Sequence, residues 1–509
     1  MIEAAAPSRE GERLRSAALA LLLLCIGAAT VAAAVASANP GLALLPVALV
    51  AAAYAAARAP LRWSAAALLL AVLSLEVSSD AAGVWRTPLA AVGDLLHDNL
   101  ERSAGIPGVP LSGLDLLSVF LLGVFVLRRG GSPVDRSGSI AAPAVVAAFL
   151  LLHVGGILFA EVNGLVRGAG SAMWKLHQLL QIPLLALLFQ ATFRGPRDHR
   201  LLGRIVIVAA CIKTLLAVWV QRVAAPALTG GKLAYATNHG DSVLFAVAAF
   251  ILLADLAERT DLRRAVNAGL LLPIILVGIH ENDRRTAWVM LAMSVIAAYA
   301  VGAPQRWKRG VTRFAVIGGP ILLLYAAAGW NRAGPLFAPL HTLRTLSDAS
   351  VDRSTRWREV ENWNIAMSIR EHPIAGIGLG GEYTEFVRGD DISSIFPDFR
   401  AFPHNSVLGL LLFSGALGFT AIWSLFGLVV FLAIRSHRLA RDAEDRVAAL
   451  CCIATVIACA VLAYGDTGAH FTQYRVLTAL AIAVSGKLAV ATGAWPAPAK
   501  CPGRAAAEG

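Results

Sequence analysis

The chain has 509 residues, of which 57% are apolar and only 15% are charged, and its mean hydropathy is +0.66. Continuous apolar runs of about 20 residues, long enough to cross a bilayer, exclude a soluble globular protein and a β-barrel, and predict an all-α polytopic membrane protein. The net charge of +11 comes from basic residues scattered over many short loops, which argues against nucleic-acid binding. The six cysteines lie in or beside apolar runs or in the tail, and their spacing predicts neither a disulfide framework nor a zinc site.

The apolar runs predict about 12–14 membrane-spanning helices. The 14 runs, in chain order, cover residues 16–38, 41–57, 63–79, 112–127, 140–160, 174–193, 201–221, 241–257, 265–278, 287–302, 314–330, 406–434, 447–463 and 476–490. The second run follows the first almost at once, which favours an uncleaved first helix over a secretory signal.

The distribution of basic residues predicts the orientation. One set of alternating segments, which includes both termini, holds more than half of the 44 Lys and Arg residues, and such loops are retained in the cytoplasm. We therefore expect an N-terminal helix bundle (1–330), a long loop with short helices on the opposite face (331–404), C-terminal membrane helices (405–492) and a disordered cytoplasmic tail (493–509).

Polar residues occur where this outward face meets the bundle. The segment from His280 to Arg285 links two spans and leaves Arg284 and Arg285 at the interface, just before Trp288. Ionisable groups at this depth are candidates for function, and the alternative is snorkelling arginines beside an interfacial tryptophan.

The long loop contains a predicted amphipathic helix over 360–369, preceded by Arg356-Trp357. A glycine-rich stretch, His372-Pro-Ile-Ala-Gly-Ile-Gly-Leu-Gly-Gly381, follows the helix. These glycines permit tight turns and close approach to a ligand, but the stretch lacks the Lys of a P-loop and does not predict a nucleotide site.

The loop ends in Phe402-Pro-His404-Asn405-Ser406. An imidazole changes protonation state near neutral pH, so His404 is a candidate general base at the mouth of the bundle. The alternative is a helix cap, since Asn405 and Ser406 are both good N-cap residues. Asp466, and the segment from Asn238 to Asp241, lie in other loops of the same face, and that segment is expected either to line the cavity or to form a polar helix cap.

Taken in order, these motifs resemble the O-antigen ligase and Wzy-type polymerase superfamily of membrane glycan transferases. The matching pieces span about 238–419 and are Arg285-Thr-Ala-Trp288, Arg356-Trp357, His372-Pro-Ile-x-Gly-x-Gly378, Pro403-His-Asn-Ser406 and Gly415-Ala-Leu-Gly418.

The resemblance implies a C-type glycosyltransferase-like bundle in the bacterial inner membrane with a periplasmic active site. Such enzymes move a glycan from undecaprenyl pyrophosphate to a hydroxyl acceptor, with inversion and without a nucleotide or cofactor. We also predict a metal-independent reaction, because the outward face has no ordered Asp/Glu/His cluster with ligand spacing. The acceptor is a lipid A-core sugar in ligases and another lipid-linked glycan in polymerases. The single dominant outward loop favours the ligase and the helix count favours the polymerase; the ligase is our prediction, and a transporter is a third, less favoured alternative.

The resemblance also assigns roles to residues. His404 is the predicted general base, and Arg285, Arg356 and Arg284 are predicted to bind the donor pyrophosphate, for which guanidinium groups are well suited. Asp466, Asn405 and His372 are candidates for orienting the acceptor or the base. No residues are predicted to bind a metal.

Overall fold

The structure is a computed structural model. It describes residues 58–75, 90–103, 111–128, 140–168, 177–233, 235–259, 261–302, 306–332, 353–389, 391–393 and 398–496, with isolated residues at 51, 54, 55, 337 and 340. The predicted span at 16–38, most of the span at 41–57 and the tail after residue 496 lie outside the described residues.

The described residues form α-helices joined by short connections, with one isolated bridge between Asn99 and Ser112. The helices are α1 Leu61–Ser74, α2 Ala90–His97, α3 Leu100–Ser103, α4 Gly113–Arg128, α5 Ala144–Val166, α6 Gln181–Thr192, α7 Pro196–Trp219, α8 Ala225–Thr229, α9 Asp241–Glu258, α10 Leu262–Glu281, α11 Arg285–Val301, α12 Arg306–Gly329, α13 Arg353–Glu371, α14 Ser406–Leu439, α15 Ala443–Gly465 and α16 Thr472–Ala491. Short 3₁₀ turns cover Gln178–Leu180, Phe399–Ala401 and Gly468–His470, and a π-turn covers Val220–Ala224.

The predicted class, an all-α polytopic membrane protein, is confirmed. Seven described helices, namely α5, α7, α10, α12, α14, α15 and α16, are long and apolar enough to cross a membrane, and α1, α6 and α11 are shorter apolar helices. Each of the twelve predicted spans that fall on described residues overlaps a helix. Several helices extend beyond the predicted spans, because hydropathy marks the apolar stretch while helical hydrogen bonding continues into the charged ends.

Helices α15 and α16 lie at the centre of a compact unit that comprises residues 65–509. Buried residues make up 72% of the membrane-crossing stretch of α15 and 83% of that of α16. Helix α15 packs against α9, α11, α14 and α16, and α16 also packs against α6. Both helices are rich in Ala, and small residues let helix backbones approach closely within a membrane.

Helix α14 is broken at Gly415, where φ is +58°. Residues 372–381, the glycine loop, form hydrogen bonds with the backbone groups on both sides of this break. The N–H groups of Ile377 and Gly378 donate to the carbonyls of Leu412 and Phe413, each at 2.9 Å. Two N–H groups on the other side of the break, at residues 416 and 417, donate to the carbonyls of residues 373 and 374. The loop therefore satisfies backbone groups that a break in a buried helix would leave unpaired.

The glycines of this loop are required by close packing against two helices. Gly376 has φ +72°, and a Cβ there would lie 2.5 Å from the backbone nitrogen of Gly415. A Cβ on Gly378 would overlap the backbone of Gly164 in α5, and the next N–H, of Leu379, donates to the carbonyl of Ala160 at 2.8 Å. The sequence pattern predicts that these glycines approach a ligand; in the structure they approach the protein's own backbone.

Candidate active site

Five segments that are far apart in the sequence meet at one end of the bundle. They contribute His239 before α9, Arg284 before α11, Glu361 within α13, His404 before α14 and Asp466 after α15. Each segment belongs to a part of the chain that the alternation of spans assigns to the outward face.

His404 contacts the buried carboxylate of Glu361. Its Nδ1 lies 3.3 Å from Oε1, and its backbone N–H donates to Oε1 at 3.3 Å and to Oε2 at 3.2 Å. The Glu361 side chain is 1% exposed, whereas that of His404 is 26% exposed. Because a carboxylate only accepts hydrogen bonds, Nδ1 carries the proton in this contact and Nε2 is left with a free lone pair. The arrangement orients the imidazole as a base that solvent and a substrate can reach.

Helix α13 presents Glu361 together with an aromatic side chain. The ring of Trp357 packs edge-on against the ring of His404, with centroids 4.7 Å apart. Glu361 follows Trp357 by four residues and Arg358 by three, and these spacings place each of the two side chains next to Glu361 on the helix surface. Tyr383, which is buried, lies close enough for Glu361 to add to the effect of burial in raising its pKa.

The helix-capping role at the start of α14 belongs to Asn405. Its side-chain Oδ1 accepts the backbone N–H of Leu408 at 3.1 Å, and Asn405 is the N-cap residue. The next residue, Ser406, donates from its hydroxyl to the backbone carbonyl of Asp466 at 3.1 Å. Asn405 and Ser406 therefore fix the helix end and tie the 466 loop to it, and the ring of His404 is not used as the cap.

A second imidazole, His239, links a carboxylate to a guanidinium. Its Nδ1 hydrogen-bonds to Asp466 Oδ2, and its Nε2 accepts from Arg284. Its ring stacks on Phe471 at 5.7 Å, and the guanidinium of Arg284 lies over the ring of Tyr235. A guanidinium only donates, so Nε2 carries no proton and Nδ1–H points at Asp466.

The charges around Asp466 and Arg284 set their protonation. Burial raises the pKa of Asp466, but the His239 hydrogen bond and the electrostatic influence of His239, Arg358 and His404 lower it more, to well below its usual range. Burial lowers the pKa of Arg284 to about 10, and Arg358 adds to the decrease while Tyr235 and Asp466 oppose it. At neutral pH, Asp466 is thus ionised and Arg284 charged. Arg358 acts on both groups and therefore lies within electrostatic range of both.

The predicted residues fall into two groups. Arg284 and Asp466 join the His404 cluster, and Arg285 is half-buried at the first position of α11, next to Arg284. Arg356 lies on the exposed side of α13 and does not join the cluster. Arg358, on the same helix, is the arginine whose charge acts on Asp466.

His372 lies at the other end of α13 from Trp357. Ten residues of helix separate Glu361 from Glu371, which corresponds to about 15 Å along the axis. The carbonyl of His372 accepts the N–H of Gly376 at 3.1 Å, so His372 opens the glycine loop and is not brought to His404.

Three members of the cluster were not singled out from the sequence as site residues, namely Glu361, Arg358 and His239. The sequence feature that could have indicated Glu361 and Arg358 is their helical spacing, which places Trp357 and Arg358 next to Glu361 on the helix surface. The Asn238–Asp241 segment was considered only as a cavity lining or a cap. In the structure, Asp241 turns inward to a buried ion pair with Lys213 at 3.2 Å, while His239 faces the site.

Residues 268–423 match a family model described as O-antigen ligase. The matched stretch runs from α10 through α13 and the glycine loop into α14, and it contains Arg284, Glu361 and His404. The match supports the resemblance to the O-antigen ligase and polymerase superfamily over residues 268–423, and the chain is a multi-pass membrane protein. No curated protein matches the chain.

Proposed function

With an O-antigen ligase-type domain at the centre of the chain, we propose that the protein is an inverting glycan transferase of the bacterial inner membrane. It moves an undecaprenyl-pyrophosphate-linked oligosaccharide or polysaccharide to a hydroxyl acceptor, a lipid A-core sugar, at the periplasmic face, with both termini in the cytoplasm. The observation that carries the proposal is the contact of His404 with the buried carboxylate of Glu361.

The chemical step needs one base and one anion-binding group. His404 Nε2 takes the proton of the acceptor hydroxyl as its oxygen attacks the anomeric carbon from the face opposite the leaving group. The bond from the anomeric carbon to the pyrophosphate oxygen breaks, and the pyrophosphate leaves with the electron pair. The imidazolium that forms on His404 is stabilised by the Glu361 carboxylate.

The departing pyrophosphate gains negative charge, which guanidinium groups stabilise well. Arg284 is half-buried and held by Tyr235 and His239, and Arg358 lies within electrostatic range of it. We assign these two arginines to the pyrophosphate, with Arg285 as their neighbour. Arg356 remains a prediction from the sequence motif alone. Asp466 holds Arg284 through His239 and is a positioning residue.

The reaction so written uses no metal, because the leaving group is already activated. We expect transfer to continue in excess EDTA. Loss of activity that a divalent ion restores would contradict this part of the proposal.

The alternative is a Wzy-type polymerase, which would use the same base and donor but a lipid-linked glycan as acceptor. The banding pattern of surface polysaccharide from a strain that lacks this gene separates the two. Polymerised glycan that stays on the lipid carrier indicates a ligase, whereas a lipid A-core that carries a single repeat unit indicates a polymerase. An unchanged pattern, with altered export of another solute, would indicate a transporter.

Complementation with variants tests the base. We expect His404→Ala to leave the deletion pattern unchanged, and His280→Ala, an exposed histidine on the same face, to restore the wild-type pattern. Both variants are compared at equal amounts of protein in the membrane. If His404→Ala restores the pattern, His404 is not the base.

A further inference from the structure

A cavity of about 460 Å³ opens at the end of the bundle opposite His404. It lies between α7, α9, α10, α15 and α16. Helix α9 shows the separation, because it begins at Asp241 beside His239, and its last turns, around Asp255, line the cavity. Its 18 residues correspond to about 27 Å, close to the thickness of a hydrocarbon core. The cavity is therefore distinct from the candidate active site.

The inner walls of the cavity are apolar. Side chains from four helices form them, among them Leu202, Val206, Ile251, Leu271, Leu480 and Val484. The volume falls within the range of about 300–1,000 Å³ that is usual for ligand pockets. Walls of this kind accommodate a hydrocarbon chain and offer little to a soluble anion.

The mouth of the cavity is strongly basic. Five arginines line it with two carboxylates, and a third carboxylate, Asp261, pairs with one of these arginines, so five positive and three negative charges leave a net charge of +2. The arginines are Arg200, Arg204, Arg259, Arg263 and Arg264, and the acids are Asp255 and Glu444.

The three carboxylates do not neutralise this rim, because they pair with only three of its five arginines, Arg200, Arg259 and Arg264. Asp255 lies 3.5 Å from Arg259 and 3.2 Å from Arg264, and Glu444 pairs with both Arg200 and Arg259. Burial lowers the pKa of Arg259, and the charges of the neighbouring arginines lower it further against the opposing effect of Asp255. The rim therefore has an excess of positive charge that an anion would relieve.

We propose that this cavity binds an anionic phospholipid, with its phosphate at the arginine rim and an acyl chain between the helices. The combination of an apolar interior and a net positive mouth matches a lipid of this charge better than a zwitterionic lipid or a soluble phosphate. With the orientation predicted from the basic loops, the rim faces the cytoplasm, where basic sites between membrane helices recognise anionic headgroups. The proposal does not depend on glycan transfer.

The test uses the full-length protein, purified and delipidated in detergent. Phosphatidylglycerol or phosphatidylcholine with the same acyl chains is added, and native mass spectrometry measures the bound lipid. We expect one phosphatidylglycerol per chain, with phosphatidylcholine bound at least about tenfold more weakly.

Variants then locate the site. Arg204 and Arg263 are exposed, and the double change Arg204→Ala/Arg263→Ala should weaken phosphatidylglycerol binding by about 10- to 30-fold. The matched control is Arg438→Ala/Arg441→Ala, two exposed arginines near the same end that do not line the cavity, and it should bind as the wild type does. Val208→Trp, a change at an exposed lining position, should also reduce retention.

Three results would overturn the proposal. They are equal binding of the two lipids, unchanged binding by the double variant, and displacement of the lipid by glycerol phosphate alone, which would indicate a simple anion site. Thermal unfolding of each variant shows whether a loss of binding reflects a loss of fold.

Discussion

The change of Glu361 to Gln isolates the charge beside His404 from its geometry. The carbonyl oxygen of a glutamine at the Oε1 position can still accept from both Nδ1 and the backbone N–H of His404, since both contacts at 3.3 Å use that atom. Only the 3.2 Å contact at Oε2 is exchanged for an amide NH₂. The variant therefore keeps most of the contact and removes the negative charge.

The size of the effect follows from the charge that forms on His404 as it takes the acceptor proton. At 3.3 Å and an effective dielectric constant of about 20, opposite unit charges attract by about 5 kcal/mol. The His404 ring is 26% exposed, and solvent screens part of this attraction. We expect a loss of about 2–4 kcal/mol of transition-state stabilisation, which corresponds to a kcat lower by about 30- to 1,000-fold.

The assay is transfer from a lipid-linked glycan to lipid A-core in proteoliposomes that contain the purified protein. Because Glu361 touches the base and not the donor, we expect kcat to fall while the KM for the donor stays within about twofold. Glu359→Gln, which changes an exposed carboxylate on the same helix, is the matched control and should leave both constants unchanged. If folded Glu361→Gln retains wild-type kcat, the carboxylate does not support the base and the proposed mechanism is wrong.

Three further predictions concern the arginines, the buried aspartate and the glycine loop. Arg358→Ala should lower kcat by about 10- to 100-fold and Arg356→Ala by less than about threefold, measured in the same transfer assay, and the reverse order would return the role to Arg356. The depressed pKa of Asp466 stabilises the fold fully above the ordinary carboxyl pKa of about 3.9, and this contribution is lost as pH falls through the folded-state pKa. The difference in unfolding temperature between wild type and Asp466→Asn should therefore be constant from about pH 8 to 5 and should become smaller below about pH 4. A difference that grows on acidification would show that Asp466 is not ionised in the folded protein. Gly376→Ala should cost about 2–4 kcal/mol of stability, from positive φ and backbone overlap, while Gly389→Ala, whose added Cβ would meet its nearest atom at 3.6 Å, should be nearly neutral in thermal unfolding.

The class of fold was predictable because a bilayer demands long apolar helices, and the alternation of spans placed His404, Arg284 and Asp466 on one face. The partners of these residues were harder to predict. Glu361 occupies one of many charged positions in the long loop, and only the packing of α13 against α14 shows that it is buried. A pairing across 43 residues has no local signal in a single sequence.

The same reasoning explains the choice between Arg356 and Arg358. The motif drew attention to the arginine next to Trp357, but neighbours in a helix point about 100° apart. Once Trp357 faces His404, the face that it shares with Glu361 includes Arg358 and not Arg356. His372 illustrates a different limit, since it belongs to the matching motif yet serves the glycine loop that supports α14.

The contact between the glycine loop and the break in α14 also limits how this protein can be re-engineered. The loop looks like an independent insertion that could be exchanged between ligases and polymerases to alter acceptor choice. The backbone of the glycine loop, however, completes α14 and packs against α5. A chimera that exchanges residues 331–404 alone would therefore pair a foreign glycine loop with the native α5 and α14. Functional hybrids should therefore exchange the glycine loop together with α5 and α14, because these three segments pack as one unit.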